Sequence, residues 1–336
     1  MFRIFLLNIF FSTPIWLLKL IYLKRRTPIR GRLVDFQSSV ILDLMPKAEL
    51  HKVSDSSIQG VRDLMAKQRT RYRLSLKPKN KVVKKDHFID DRKTLLLREY
   101  IPQNVKKDKV VLFFHGGGYV LSSVKTHDEM VSFISDNLGA KFFSLDYSLA
   151  PENKYPSALN EALSAYEWLI SNGYGSEQIS LCGDSAGAHL AASLTHYLIA
   201  NNHPKPHSQL LIYPMCDPSC SSESYTLFEE NYLLTKKAMI WFWDKLINSK
   251  NNIDDECLNL MKVNLEKELP KTIIVTAGFD PLSDEAEKYA YLLHEKGNNV
   301  KQLHYPSMFH GFASMTRLNS AKIAVVDFLT EYKKIL

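Results

Sequence analysis

Three short stretches carry residue types that together perform acyl-transfer chemistry. Gly183-Asp184-Ser185-Ala186-Gly187 sets a serine between glycines. A buried-strand pattern (178–183) precedes it and a helical pattern (186–200) follows, which predicts a sharp strand-to-helix turn that lifts the hydroxyl above a sheet. The glycines remove the Cβ atoms that would collide there. His115-Gly116-Gly117-Gly118 follows the β-prone run 109–114, about 70 residues before the serine. A glycine run lets backbone N–H groups approach the oxygen that gains charge in a tetrahedral intermediate. Gly116, Gly117 and the N–H of Ala186 are the expected donors.

A serine is a weak nucleophile near neutral pH, so it needs a base within hydrogen-bond reach and a carboxylate that fixes the tautomer of that base. Where a serine sits on such a turn, the acid and then the histidine follow it along the chain. Asp280 comes just after the strand-like KTIIVTAG (271–278). His310 comes just after NNVKQLHYP (298–306), within Phe309-His310-Gly311-Phe312. Of the histidines downstream of Asp280, His294 falls mid-helix and His304 within a strand, so His310 is the expected base. Asp284 and Glu285 stand close to Asp280 but fall on the next helix, which makes Asp280 the expected acid. No companion ligand at metal spacing accompanies His115, so a metal is not expected.

These residues need a frame that gathers strand ends along one edge. The runs 109–114, 141–147, 178–183, 209–214, 271–278 and 298–306 read as strands, and the first lacks polar alternation, as in a strand buried on both faces. Helical patterns fill 126–138, 157–171 (closed by Gly173), 186–200, 283–296 and 319–334. This βαβ series predicts a mostly parallel sheet with helices on both faces. About 56 residues between 214 and 271 break the rhythm, and their aromatic and polar mix (Tyr225, Phe228, Tyr232, Trp241, Phe242, Trp243) reads as a helical insertion.

With 45% hydrophobic and 24% charged residues over 336 positions, the chain has the composition of a soluble globular protein. Cys182, Cys216, Cys220 and Cys257 are too few and too irregular for a disulfide framework, so free thiols are expected. The net charge of +7 is unevenly spread: residues 1–85 hold 19 Lys and Arg against 5 Asp and Glu, and the remainder is net negative. No nucleic-acid module accompanies the basic stretch, so a nucleic-acid partner is not expected.

Residues 4–23, IFLLNIFFSTPIWLLKLIYL, form the most apolar run. On a helix, Asn8, Ser12, Lys19 and Arg26 line up as one narrow polar stripe, which suits a helix in a membrane interface, while Pro14 kinks or restarts it. Lys24, Arg25 and Arg26 replace the small residues of a cleavage site, and for a spanning segment they place the catalytic part on the cytoplasmic side. Membrane association through residues 1–26 is the expectation. The alternatives are a cytoplasmic protein and a helix that covers its own substrate pocket.

HGGGYV (115–120), DYSLAPENKYP (146–156), GDSAGAHLA (183–191), DPLSDEAEKYA (280–290) and FHGF (309–312) together resemble the hormone-sensitive-lipase-like family of α/β-hydrolases, which includes arylacetamide deacetylases. The resemblance implies an α/β-hydrolase fold with an eight-stranded sheet and a helical cap. Under it the chain divides into an N-terminal apolar, basic and cap segment (1–80), a first core part (81–214), a cap insertion (215–265) and a second core part (266–336). It also implies short- to medium-chain acyl esters or lipids as substrates, and no cofactor. Ser148 stands where the family motif has arginine, and Ala188 where it has glycine; altered loop support and pocket shape are expected from these departures. The expected activity is that of a serine carboxylesterase, with an amidase or deacetylase using the same triad as the alternative, and a non-catalytic ligand-binding receptor as the more distant one.

Overall fold

The computed structural model describes residues 2–24, 26–45, 49–105, 108–248, 253–263 and 268–336, with backbone alone for 2–5 and 8. In chain order the helices are α1 (Phe2–Ser12), α2 (Ile15–Ile21), α3 (Phe36–Leu44), α4 (Ile58–Tyr72), α5 (Val124–Leu138), α6 (Ser157–Ser171), α7 (Ala186–Ala200), α8 (Glu223–Leu227), α9 (Lys236–Leu246), α10 (Ser283–Glu295) and α11 (Asn319–Tyr332). The strands are β1 (Val82–Phe88), β2 (Leu96–Pro102), β3 (Val110–Phe114), β4 (Lys141–Leu145), β5 (Ile179–Asp184), β6 (Ser208–Ile212), β7 (Lys271–Phe279) and β8 (Val300–Phe309). They form one eight-stranded sheet in the order β1-β2-β4-β3-β5-β6-β7-β8. β2 runs antiparallel to β1 and β4, and every other pair is parallel.

The unbroken apolar run of β3 follows from this arrangement. Val110, Leu112 and Phe114 pack into the cluster shared with α6, α7 and α10, while Val111 and Phe113 pack into the cluster shared with α5 and α11. A strand covered on both faces has no side to leave polar. Each such side chain contributes roughly 1.5–3 kcal/mol when fully buried. α5 begins on a capping box between Ser123 and Thr126 and ends on left-handed Gly139, so its termini are satisfied locally.

β8 extends to Phe309, three residues beyond its expected end, and a bulge opposite Ala277 and Phe279 takes up the extra length. His294 lies in the last turn of α10 instead of mid-helix. The four cysteines are free and buried.

The N-terminal apolar run is two short helices, not one. Pro14 precedes the first residue of α2, where its missing N–H costs nothing. α1 and α2 bury Leu7, Phe10 and Leu18 in the α5/α11 cluster. The single polar stripe is therefore not formed: Arg26 lies beyond α2, turned inward onto Asp43 and the Tyr232 ring. The side chain of Asn8, and Arg25 altogether, fall outside the described residues. No helix among the described residues is long and apolar enough to cross a membrane.

Candidate active site

β5 ends at Asp184 and α7 starts at Ala186, which leaves Ser185 alone in the turn with φ 56° and ψ −120°. A non-glycine residue held at positive φ costs on the order of 1–3 kcal/mol, offset only where the surroundings fix it. Here the Ser185 N–H donates to the Ile212 carbonyl at 2.8 Å, and its own carbonyl accepts from the His189 N–H at 3.0 Å. The flanking glycines are sterically required. A Cβ on Gly183 would lie 2.2 Å from the Gly187 backbone, and one on Gly187 would lie 2.0 Å from the Phe114 carbonyl oxygen.

β7 and β8 end side by side, and each delivers one side chain to this turn. His310 Nδ1 lies 2.7 Å from Asp280 Oδ2, and His310 Nε2 lies 3.0 Å from Ser185 Oγ. The remaining Asp280 oxygen accepts from the Leu282 N–H at 2.9 Å. Ser185, Asp280 and His310 are 8%, 1% and 8% exposed, so water has little access to the row. The Tyr213 ring, 4.7 Å from the imidazole, holds its plane. The two competing carboxylates are occupied elsewhere. Asp284 pairs with Arg30 at 2.6 Å, and Glu285 is buried, accepting from the Cys216 N–H at 2.7 Å, with burial pushing its pKa well above the usual carboxylate value.

The glycine loop corrects one expectation. The Gly116 N–H donates to Asp184 Oδ1 at 2.9 Å, so it is already committed and cannot serve an oxyanion. The N–H groups of Gly117, Gly118 and Ala186 have no acceptor among the described residues. Gly117 and Gly118 line a cavity of about 230 Å³ together with Ser185 and His310, and Gly116 does not. The uncommitted N–H groups of the loop therefore begin one residue later than expected. The cause is the carboxylate of the second motif residue, Asp184, which burial would hold neutral but which His127, Arg69 and the Gly116 N–H keep below its ordinary pKa.

His115 lies under the loop, fully buried and stacked on Tyr147 at 4.3 Å. Burial pushes its pKa down to about 3, so it is a neutral packing ring. Ser148, at the family arginine position, binds Glu161 through both its hydroxyl (2.5 Å) and its N–H (2.6 Å). At this position a short hydroxyl, not a long cation, holds Glu161.

The cavity wall also contains Arg69, Phe242 and Met239, from α4 and α9. Sequence patterns gave no signal for Arg69 and Met239, because neither helix carries a motif and both reach the site only through tertiary packing; Phe242 stood out only as one aromatic of the insertion. Asp184 had a signal within the motif itself, since a carboxylate next to a glycine loop at a strand end has unpaired N–H groups to accept from.

A family model described as the α/β-hydrolase fold matches residues 111–314. The chain is 31% identical to the carboxylic ester hydrolase LipN of Mycobacterium tuberculosis over 238 residues, 68% of this chain and 63% of LipN, so it spans somewhat less than two thirds of that relative. It is 29% identical to an ethyl acetate hydrolase of Pseudomonas putida, covering 72% of this chain and 80% of that one. Among solved structures, a hyperthermophilic esterase from the archaeon Pyrobaculum calidifontis superposes with a TM-score of 0.81 at 28% identity, covering 90% of this chain and 98% of that one. The chain belongs to this α/β-hydrolase family, whose named relatives here hydrolyse carboxylic esters.

Proposed function

We propose that the chain is a serine carboxylesterase that hydrolyses short- to medium-chain acyl esters through an acyl-enzyme on Ser185. Ser185 Oγ attacks the ester carbonyl while His310 Nε2 takes its proton, and Asp280 holds the Nδ1–H tautomer and the imidazolium that forms. The N–H groups of Gly117, Gly118 and Ala186 receive the oxyanion. His310 returns the proton to the departing alkoxide, then removes one from water, which attacks the acyl carbon and releases Ser185. The segments 1–80 and 215–265 act as a cap over the core parts 81–214 and 266–336. The observation that carries the reading is the pair of contacts, 2.7 and 3.0 Å, on the two nitrogens of one imidazole.

The test is Ser185→Ala assayed on p-nitrophenyl butanoate, with wild type treated in parallel with a fluorescent organophosphonate. Turnover falls by about 10⁴-fold or more in the variant, and the probe labels wild type alone. Wild-type turnover in the variant refutes the assignment.

Contact with a lipid surface is a further part of the proposal. Trp16, Leu20, Ile21 and Leu23 are 66%, 65%, 70% and 79% exposed, and Lys24 flanks them. Apolar side chains of this size beside a cation suit the interface of an anionic bilayer, with the catalytic domain on the cytoplasmic leaflet where anionic lipids concentrate. Binding of the full chain to phosphatidylserine-containing vesicles, weakened by Trp16→Ser with Leu20→Ser, is the expected result; equal binding by both proteins removes this part.

A further inference from the structure

Arg62 and Arg69 stand two turns apart on one face of α4, and the fold treats them differently. Arg62 is saturated: it grips Glu152 with both terminal nitrogens (2.9 and 2.8 Å) and donates to the carbonyls of Val120 and Ala150 at 2.8 Å each. It ties the helix to the loops that follow β3 and β4. Arg69 has one neighbour within hydrogen-bond reach of its guanidinium, His127 Nε2 at 3.3 Å, and forms no ion pair among the described residues. The side chain is half-buried, and its other donors have no acceptor among the described residues and face open space. Burial accordingly pushes its pKa down, with Asp184 and Tyr213 offsetting part of the cost. A guanidinium nonetheless stays charged.

That side chain lines the same cavity of about 230 Å³ as Ser185 and His310. Most of the other side chains in the wall are apolar, including Met65, Leu121, Met239 and Phe242. Two carboxylates share the wall, and neither forms an ion pair with Arg69 among the described residues. Asp184 takes the Gly116 N–H and faces His127 at 3.4 Å, and Glu129 stands apart from the guanidinium. The sheet order decides which part of a substrate would meet the guanidinium. His310 and Asp280 follow β8 and β7, on one side of β5, whereas His127, the contact of Arg69, belongs to α5, which connects β3 to β4 on the other side. The leaving alcohol departs toward His310, the group that protonates it, which directs the acyl chain toward Arg69.

We infer that Arg69 is a specificity-determining residue that binds an oxygen acceptor on the acyl chain, favouring acyl groups that bear an oxo or carboxylate oxygen over plain aliphatic ones. The inference rests on the proposed acyl-enzyme chemistry at Ser185. A carboxylate engages the guanidinium fork with two parallel bonds, and a ketone engages it with one.

The experiment compares kcat/KM of the full chain for ethyl pentanoate, ethyl 4-oxopentanoate and monoethyl succinate, each normalised to its rate of alkaline hydrolysis. At least one oxygenated ester leads ethyl pentanoate by about tenfold or more, the size of a hydrogen bond to a charged group. The ratio falls to about one in Arg69→Met and to an intermediate value in Arg69→Lys, which keeps the charge without the fork. A lead shared by both oxygenated esters assigns the effect to the donors, and one confined to the succinate half-ester assigns it to charge; either supports the inference. A wild-type ratio of one or below overturns it, and so does an undiminished ratio in Arg69→Met. Because each ratio is taken within one protein, a loss of folded material does not mimic the effect. Failure of all three esters, together with no phosphonate labelling of Ser185, counts instead against the esterase reading.

Discussion

At the carboxyl edge of the sheet, Ser185, Asp280 and His310 are nearly closed off from solvent, and each is held by hydrogen bonds from elements that the sheet itself aligns. In the N-terminal helices and α9, the side chains that matter are placed by packing alone: Phe242 leans on Gly118, Leu7 and Phe10 fill gaps in the core, and Trp16 and Leu20 face outward. The first region defines which bond is broken. On the proposed function, the second shapes what fits beside that bond and meets a lipid surface. Chemistry therefore depends on a few polar contacts with almost no tolerance, and selectivity depends on apolar contacts that tolerate exchange.

The largest effect expected from this contrast is in the polar row. Asp280→Asn lowers kcat by about 10⁴-fold through the wrong histidine tautomer, as judged with p-nitrophenyl butanoate. Asp284→Asn, four residues on, stays within about tenfold because its carboxylate serves Arg30. Equal losses in the two variants would erase the distinction between them.

Next comes the cap. Phe242→Ala removes a side chain that is 5% exposed and walls the cavity, costing about 3–5 kcal/mol in urea unfolding. In the same variant the optimum of a C2 to C10 acyl series moves to longer chains. An unmoved optimum would mean that the cap does not set chain length.

A comparable effect follows from acid. His189 is buried, with Nδ1 near the Tyr119 hydroxyl at 2.7 Å and Nε2 near the Leu258 carbonyl at 3.0 Å, and burial pushes its pKa down to about 4 from 6.5. The unfolded chain binds this proton at higher pH than the native one, so stability is whole above about pH 6.5 and declines as the pH falls toward 4. The decline from this group is about 3 kcal/mol. His115 adds to it in the same direction, down to about pH 3. Urea midpoints at pH 7 and pH 4.5 measure the slope; a flat profile contradicts it.

The smallest effect belongs to the exposed patch. Trp16→Ser with Leu20→Ser changes unfolding free energy by no more than about 0.5 kcal/mol per site and leaves butanoate turnover within about twofold. A large destabilisation would show these side chains to be part of the core after all.

Much of this was legible before any coordinates. α6 and α7 have the expected bounds, and the six strands read from the residues agree within a few positions, because periodicity and local caps define each element over a short span of chain; β1 and β2 were implied only by the family resemblance. The N-terminal run was less legible: its apolar content is real, but Pro14 divides it and the sheet's outer helices absorb half of it. Gly116 differs from its expected role for a related reason. Three consecutive glycines are equivalent as letters, and only the carboxylate of Asp184, arriving from β5, makes the first one different.

From its residues alone the chain determined the order of strand and helix from β3 onward, the turn that carries Ser185, and the placing of Asp280 and His310 just after strands, since each depends on neighbours within a few positions. Tertiary structure alone decided which glycine N–H groups remain free, that Arg69 reaches a cavity whose nucleophile lies 116 residues away in the chain, and which apolar side chains stay outside. Those outcomes depend on contacts between segments far apart in sequence, and no local pattern records which distant partner will satisfy a given donor or cover a given side chain.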